Sequence, residues 1–150
     1  MRDYLDASVI VAIFIRESTS AAILELLDDA TASPQISDLA ASEVSSAISR
    51  LVRTKQLTRE VANAVLSDFD EWAQAIGQPT EIYPSDVREA NVLVRQFELK
   101  LRAPDASHLA ICRRLGARMV TLDNNLARAA EAIDVACINP AEDSAYRKTE

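Results

Sequence analysis

Arg118-Met119-Val120-Thr121-Leu122-Asp123-Asn124 is a short apolar run closed by a carboxylate. Ahead of it, Pro104 starts a helical stretch that Gly116 ends. Behind it, a helix is expected over Asn124–Ile133 and a last strand over Val135–Ile138. Strands separated by helices are parallel, because a parallel pair needs a crossover and the crossover is usually a helix. The same alternation holds upstream. Tyr4-Leu5 begins a strand that Asp6 closes, and Ser8–Phe14 continues as a short buried helix or helical turn. Ser18-Thr19-Ser20 caps a helix to about Ala30, and Pro34–Ser37 reads as a strand. Asp38 is expected to cap a long helix to about Lys55, with an apolar stripe of Leu39, Val44, Ala47, Ile48, Leu51 and Val52 at helical spacing. Thr58 starts another helix, stopped by Gly77. Thr80–Tyr83 reads as a strand between two prolines, and Ser85 as the cap of a helix to about Leu99. Five such alternations predict an α/β fold, a parallel sheet with helices on both faces.

A chain of 150 residues is most simply one domain. The expected boundaries are 1–139 for the domain and 140–150 for a loose polar tail. Half the residues are hydrophobic, yet aromatics are only 5%, so the core is Ala, Leu, Ile and Val. Two glycines leave no room for a Gly-rich phosphate loop, and with it falls a nucleotide-cofactor enzyme. The net charge of −7 argues against sequence-blind nucleic-acid binding. Basic residues cluster in two stretches without acids: Arg50, Arg53, Lys55 and Arg59, then Arg113, Arg114 and Arg118. Each is a solvated helix face or a rim guiding phosphates. Cys112 and Cys137 lie in apolar runs and match neither a disulfide framework nor a metal motif. Met1-Arg2-Asp3 leads into a strand that Asp6 interrupts, unlike a signal peptide, and the longest apolar run is too short for a bilayer. A reducing cytoplasm and no membrane partner are expected.

Four acids stand out. Asp6, Asp105 and Asp123 stand where helices begin, and Glu43 lies inside an apolar stripe. Capping accounts for any one of the first three. Acids at the carboxyl ends of parallel strands, however, gather in one crevice, where like charges repel unless a cation compensates. Glu is rarely buried without a partner, and Arg50, two turns along the same face, is the candidate. A divalent cation held by carboxylates polarises a phosphoryl oxygen and activates water. His108, the single histidine, stands one turn after Asp105 and is expected to be bonded within the fold.

Tyr4-Leu5-Asp6-Ala7-Ser8, the isolated Glu43, Leu101 through Ala110 with Pro104-Asp105 inside it, and Val120-Thr121-Leu122-Asp123 together resemble PIN-domain proteins. More narrowly they resemble the VapC toxins of bacterial toxin–antitoxin pairs. The resemblance runs from residue 1 to about 138. It implies a three-layer α/β/α sandwich with a short-stranded parallel sheet, and an endoribonuclease dependent on Mg²⁺ or Mn²⁺. The family's acids fall on Asp6, Glu43, Asp105 and Asp123, and its two hydroxyls on Ser8 and Thr121. Asp6, Asp105 and Asp123 are the implied metal ligands, and Glu43 would orient or deprotonate water. The segment after Asp123 departs from the pattern in lacking an aromatic. The family arrangement also implies an RNA substrate, a cognate antitoxin and a homodimer. For the dimer, the stripes of the 38–55 and 58–76 helices, including Leu51, Val61, Phe69 and Trp72, are the expected contact. Arg50 and Arg102 are candidates for guiding RNA. Two rivals remain: a receiver-like Mg-binding regulatory module, and a DNA nuclease on the same fold. The first wants adjacent acids after the first strand and a late lysine, which the chain lacks; the second wants extra DNA-binding segments.

Overall fold

A computed structural model of the chain describes residues 1–146. Its strands are β1 Asp3–Leu5, β2 Gln35–Ser37, β3 Gln78–Thr80, β4 Arg118–Val120 and β5 Cys137–Ile138. Its α-helices are α1 Ala7–Phe14, α2 Ser20–Asp29, α3 Asp38–Arg53, α4 Arg59–Ile76, α5 Pro84–Val94, α6 Ala103–Leu115 and α7 Asn124–Ala132, with one 3₁₀ turn at Phe97–Leu99. All strand pairs are parallel and the sheet order is β3-β2-β1-β4-β5.

Alternation along the central strands divides the core in two. Tyr4 and Met119 are paired in register and face one layer, with Leu93, Leu109, Ile111 and Leu126. Leu5 and Val120, the next pair, face the other, with Val9, Ile10, Ile23, Val44 and Phe69. Successive strand residues point to opposite faces, so two fully buried pairs in a row require helices on both sides. That is the α/β/α sandwich.

The order matters for function. The sequence of strands steps outward from β1 through β2 to β3, then returns to β4 on the other side of β1. β1 and β4 therefore flank the switch point, where loops diverge and a crevice opens at the carboxyl ends. A receiver-like module has the order 2-1-3-4-5. The observed order removes that rival.

Several expected elements shift for local reasons. β3 lies at Gln78–Thr80, upstream of Thr80–Tyr83. It tolerates Pro79 because, among the described residues, it is an edge strand that pairs with β2 alone. Ser37, not Asp38, caps α3: its Oγ accepts from the Ala40 N–H at 3.0 Å, leaving Asp38 in the first turn. Tyr83 rather than Ser85 is the N-cap of α5, which stops at Val94 instead of Leu99, and the chain turns through left-handed Lys100 (φ 54°). β5 begins at Cys137, after a turn that places Asp134 at φ 59°. Gly116 does take the left-handed C-terminal position of α6, at φ 59°. Beyond Pro140, turns bring Tyr146 back against the core. The last four residues of the expected polar tail lie outside the described residues.

Part of the proposed dimer stripe is engaged inside the chain. Phe69 is 3% exposed, and Phe14 stacks edge-on against both Phe69 and Trp72 at 5.8 and 5.5 Å between centroids. Val61 remains exposed. Among the described residues no helix is long and apolar enough to cross a membrane.

Candidate active site

Asp6 is the residue after β1, and its backbone N–H bonds the Val120 carbonyl at 3.2 Å, extending the β1–β4 ladder by one step. Its carboxylate caps α1, accepting from the Val9 N–H at 3.2 Å. Capping does not exhaust its role. The group is 5% exposed and takes two further hydrogen bonds, from Ser8 Oγ and Thr121 Oγ1, each at 2.6 Å. Burial raises the Asp6 pKa above the ordinary carboxylate range, and the two hydroxyls only partly offset that effect.

The same hydroxyls tie the two switch-point loops together. Ser8 Oγ accepts from the Leu122 N–H at 3.1 Å, and Thr121 Oγ1 accepts from the Asp123 N–H at 3.0 Å. Asp123 then caps α7 through one oxygen, Oδ1, which accepts from the N–H groups of Asn125 and Leu126. Glu43 and Asp123 line one cleft of about 420 Å³ together with Ser8 and Leu122. Asp105 is half-buried in the first turn of α6, with Oδ2 accepting from the Arg102 N–H at 3.2 Å. It does not line that cleft, but it stands one turn before His108 on the same helix, and the ring of His108 reaches Glu43. The structure thus brings Asp6, Ser8, Thr121 and Asp123 into one bonded unit, places Glu43 in the same cleft as Asp123, and leaves Asp105 on α6.

Glu43 is paired with His108, not with Arg50. Arg50 is exposed and makes no ion pair among the described residues, and Arg102 is exposed beside the α6 N-terminus. The second basic stretch does not serve a phosphate rim. Arg113 pairs with Glu89, Arg114 with Asp86, and Arg118 with Asp3 at the amino-terminal end of β1, opposite the crevice. Cys112 is buried and its thiol pKa is pushed up to about 12, mainly by burial, as suits an inert core residue.

Two features escaped the sequence reading. Glu17, in the turn between α1 and α2, lines the same cleft as Glu43 and Asp123. Tyr4 and Ser37 join His108 in a buried polar chain. The signal for Tyr4 was available, since a tyrosine on a fully buried strand needs a partner for its hydroxyl.

Among the described residues no three His, Cys, Asp or Glu side chains stand close enough to form a ready cation cage. The donor chemistry nonetheless fits a hard divalent ion: Asp6, Asp105 and Asp123 offer only oxygen donors, and the helix caps use Asp123 Oδ1 and Asp105 Oδ2, leaving Asp123 Oδ2 and Asp105 Oδ1 outside those caps.

Residues 4–132 match the PIN domain pattern, well over half of the chain. The chain belongs to the PIN domain family. No curated protein matches it. Among solved structures it is similar to FitAcB from Neisseria gonorrhoeae, with 17% identity and a TM-score of 0.70 over 93% of this chain and 99% of that one. It is also similar to VapBC2 from Rickettsia felis bound to a DNA fragment from their promoter, with 15% identity and a TM-score of 0.69 over 93% and 98%. A third likeness is to VapC20 from Mycobacterium tuberculosis, described as a Sarcin-Ricin loop cleaving toxin, with 17% identity and a TM-score of 0.65 over 85% and 94%. At these identities the likeness is one of fold. The PIN domain assignment agrees with the resemblance carried by the motifs around Asp6, Glu43, Asp105 and Asp123.

Proposed function

We propose that this PIN domain is a metal-dependent endoribonuclease of the VapC toxin type, hydrolysing RNA phosphodiesters and neutralised by a cognate antitoxin. The observation that carries the reading is Asp6, a carboxylate buried at the switch point and held by two hydroxyls that also fix the Asp123 loop. A helix cap alone needs neither the burial nor the hydroxyls. VapC20, the cleaving toxin among proteins of like fold, supports the same reading.

Asp6, Asp105 and Asp123 would hold Mg²⁺ or Mn²⁺, which supplies Lewis-acid stabilisation of charge on the phosphoryl oxygens. Ser8 and Thr121 keep the Asp6 carboxylate in one orientation, so ligand geometry is set before substrate arrives. Glu43 orients the attacking water and takes its proton as the new P–O bond forms and the leaving oxygen departs. The acidic surface of net charge −7 repels RNA in general, so substrate is held locally, with Arg50 and Arg102 as the candidate phosphate contacts. A homodimer is part of the same proposal, with the remaining exposed apolar residues of α4, Val61 among them, at its contact.

Digestion of structured RNA by the purified chain tests the reading. Wild type should cut with Mg²⁺ or Mn²⁺ and stop in excess chelator, and Asp6→Asn and Glu43→Gln should be inactive while remaining folded. Unimpaired cutting in chelator would reject it.

A further inference from the structure

The Tyr4 hydroxyl is the middle of a buried polar chain that ends on Glu43. Tyr4 is 0%, Ser37 1% and His108 2% exposed. Tyr4 Oη lies 2.7 Å from Ser37 Oγ and 2.6 Å from His108 Nδ1. His108 Nε2 in turn contacts Glu43 Oε1. At the other end, Ser37 Oγ accepts from the Ala40 N–H at 3.0 Å.

The hydrogens can be placed by elimination. A carboxylate only accepts, so Nε2 carries a proton. A phenol has one hydrogen to donate, so Tyr4 can donate to only one of its two neighbours and must accept from the other. One directional arrangement then satisfies every group: Ser37 O–H donates to Tyr4, Tyr4 O–H donates to Nδ1, and Nε2–H donates to Glu43. The reverse direction protonates both ring nitrogens of a buried imidazole and leaves the Ser37 hydroxyl proton with no acceptor in the chain.

The chain also has a mechanical consequence. Ser37 ends β2 and caps α3, Tyr4 is in β1, His108 is on α6, and Glu43 is on the second turn of α3. The polar chain therefore leaves α3 at its cap, crosses the sheet to α6 and returns to α3. Without it, Glu43, whose side chain is 36% exposed, would be free to swing into solvent.

We infer that Ser37, Tyr4 and His108 are a positioning relay, which holds Glu43 in place over the cleft by presenting a fixed Nε2–H to its carboxylate. The inference rests on the reading of Glu43 as the water-orienting acid. The relay residues touch neither substrate nor the reacting atoms. They act through Glu43, as preorganisation of a catalytic group by packed neighbours.

His108 is the only histidine in the chain, so ¹⁵N NMR of the imidazole reports on one ring. The wild-type spectrum should show a protonated Nε2 and an unprotonated Nδ1 at neutral pH. Tyr4→Phe keeps the ring and removes the hydroxyl, so the spectrum should move toward mixed tautomers. With RNA, Tyr4→Phe should lower kcat by about tenfold at unchanged KM, since a misplaced group costs the chemical step and not substrate binding. His108→Gln offers an amide N–H where Nε2–H stood, and should retain more kcat than His108→Ala. A wild-type ring protonated on Nδ1, or wild-type kcat in Tyr4→Phe, would overturn the relay. Failure of the ribonuclease reading looks different: no RNA is cut by wild type, while the Nε2–H form persists and Tyr4→Phe still disturbs it. That outcome supports the relay and rejects only the substrate. The wild-type spectrum needs no variant to fold.

Discussion

Thr121→Val probes the switch point with the least change of shape. Thr121 is 0% exposed, and its hydroxyl donates to Asp6 Oδ2 at 2.6 Å and accepts from the Asp123 N–H at 3.0 Å. Valine keeps the branched volume and deletes both bonds. A bond to a charged group contributes about 1.5–3 kcal/mol and a neutral one about 0.5–1.5, so the loss should be about 2–4 kcal/mol. For a domain of this size that is a fall in melting temperature of roughly 4–16 °C. In an Asp6→Asn background the acceptor is an amide, and the same substitution should cost about 1 kcal/mol less. The double-mutant cycle is read from denaturant melts of four proteins at neutral pH. The Thr121 hydroxyl favours ionised Asp6, so the cost of Thr121→Val should also grow with rising pH. A cost below about 0.5 kcal/mol would refute the account of how Asp6 is held, and so would additivity of the two substitutions.

Asp6→Asn alone should stabilise the folded chain at neutral pH. The folded protein holds the Asp6 proton more tightly than the unfolded chain, so wild-type stability falls as pH rises from the ordinary carboxylate range through the raised value. The margin of the variant over wild type should therefore widen from acidic to neutral pH in thermal melts; a narrowing margin contradicts the burial argument. Arg114→Ala should destabilise by about 2–3 kcal/mol, because it strips a two-pronged pair at 2.8 and 2.9 Å from buried Asp86 and leaves the cleft untouched. Equal stability would mean that water replaces the pair. Arg50→Ala and Arg102→Ala, in a catalytically dead Asp6→Asn background, should weaken RNA binding and flatten its salt dependence by about one phosphate contact each. Unchanged slopes for both would eliminate their guiding role.

The fold was legible because its signals are local and repeated. Pro104 stands in the first turn of α6 and Gly116 ends it, and the two innermost strands each lead to an acid, β1 directly to Asp6 and β4 to Asp123 three residues on. Edges were harder. β3 is three residues containing Pro79, a pattern that reads as a turn unless the strand is known to lie at an edge. Ser37 and Asp38 are both good cap residues in adjacent positions, and only the extended backbone of Ser37 decides between them. Of the site, Asp6 and Asp123 could be grouped because strand ends share one edge of a parallel sheet, whereas Ser8 and Thr121 joined them only through the family resemblance. The partner of Glu43 could not be read. Helical spacing pointed along α3 to Arg50, whereas His108 arrives from 65 residues away on another helix. Glu17 was missed for the same reason: the fold of the α1–α2 turn, not its spacing, puts it at the cleft.

The proposed ribonuclease depends on one cation held by Asp6, Asp105 and Asp123, with Glu43 beside it. Titration of Mn²⁺ into the protein, followed by electron paramagnetic resonance or calorimetry, tests it without any substrate. Wild type should bind Mn²⁺, and Asp6→Asn, Asp105→Asn and Asp123→Asn should each weaken binding by about tenfold or more, while Glu43→Gln has a smaller effect. Equal Mn²⁺ affinity in wild type and Asp6→Asn would contradict the account.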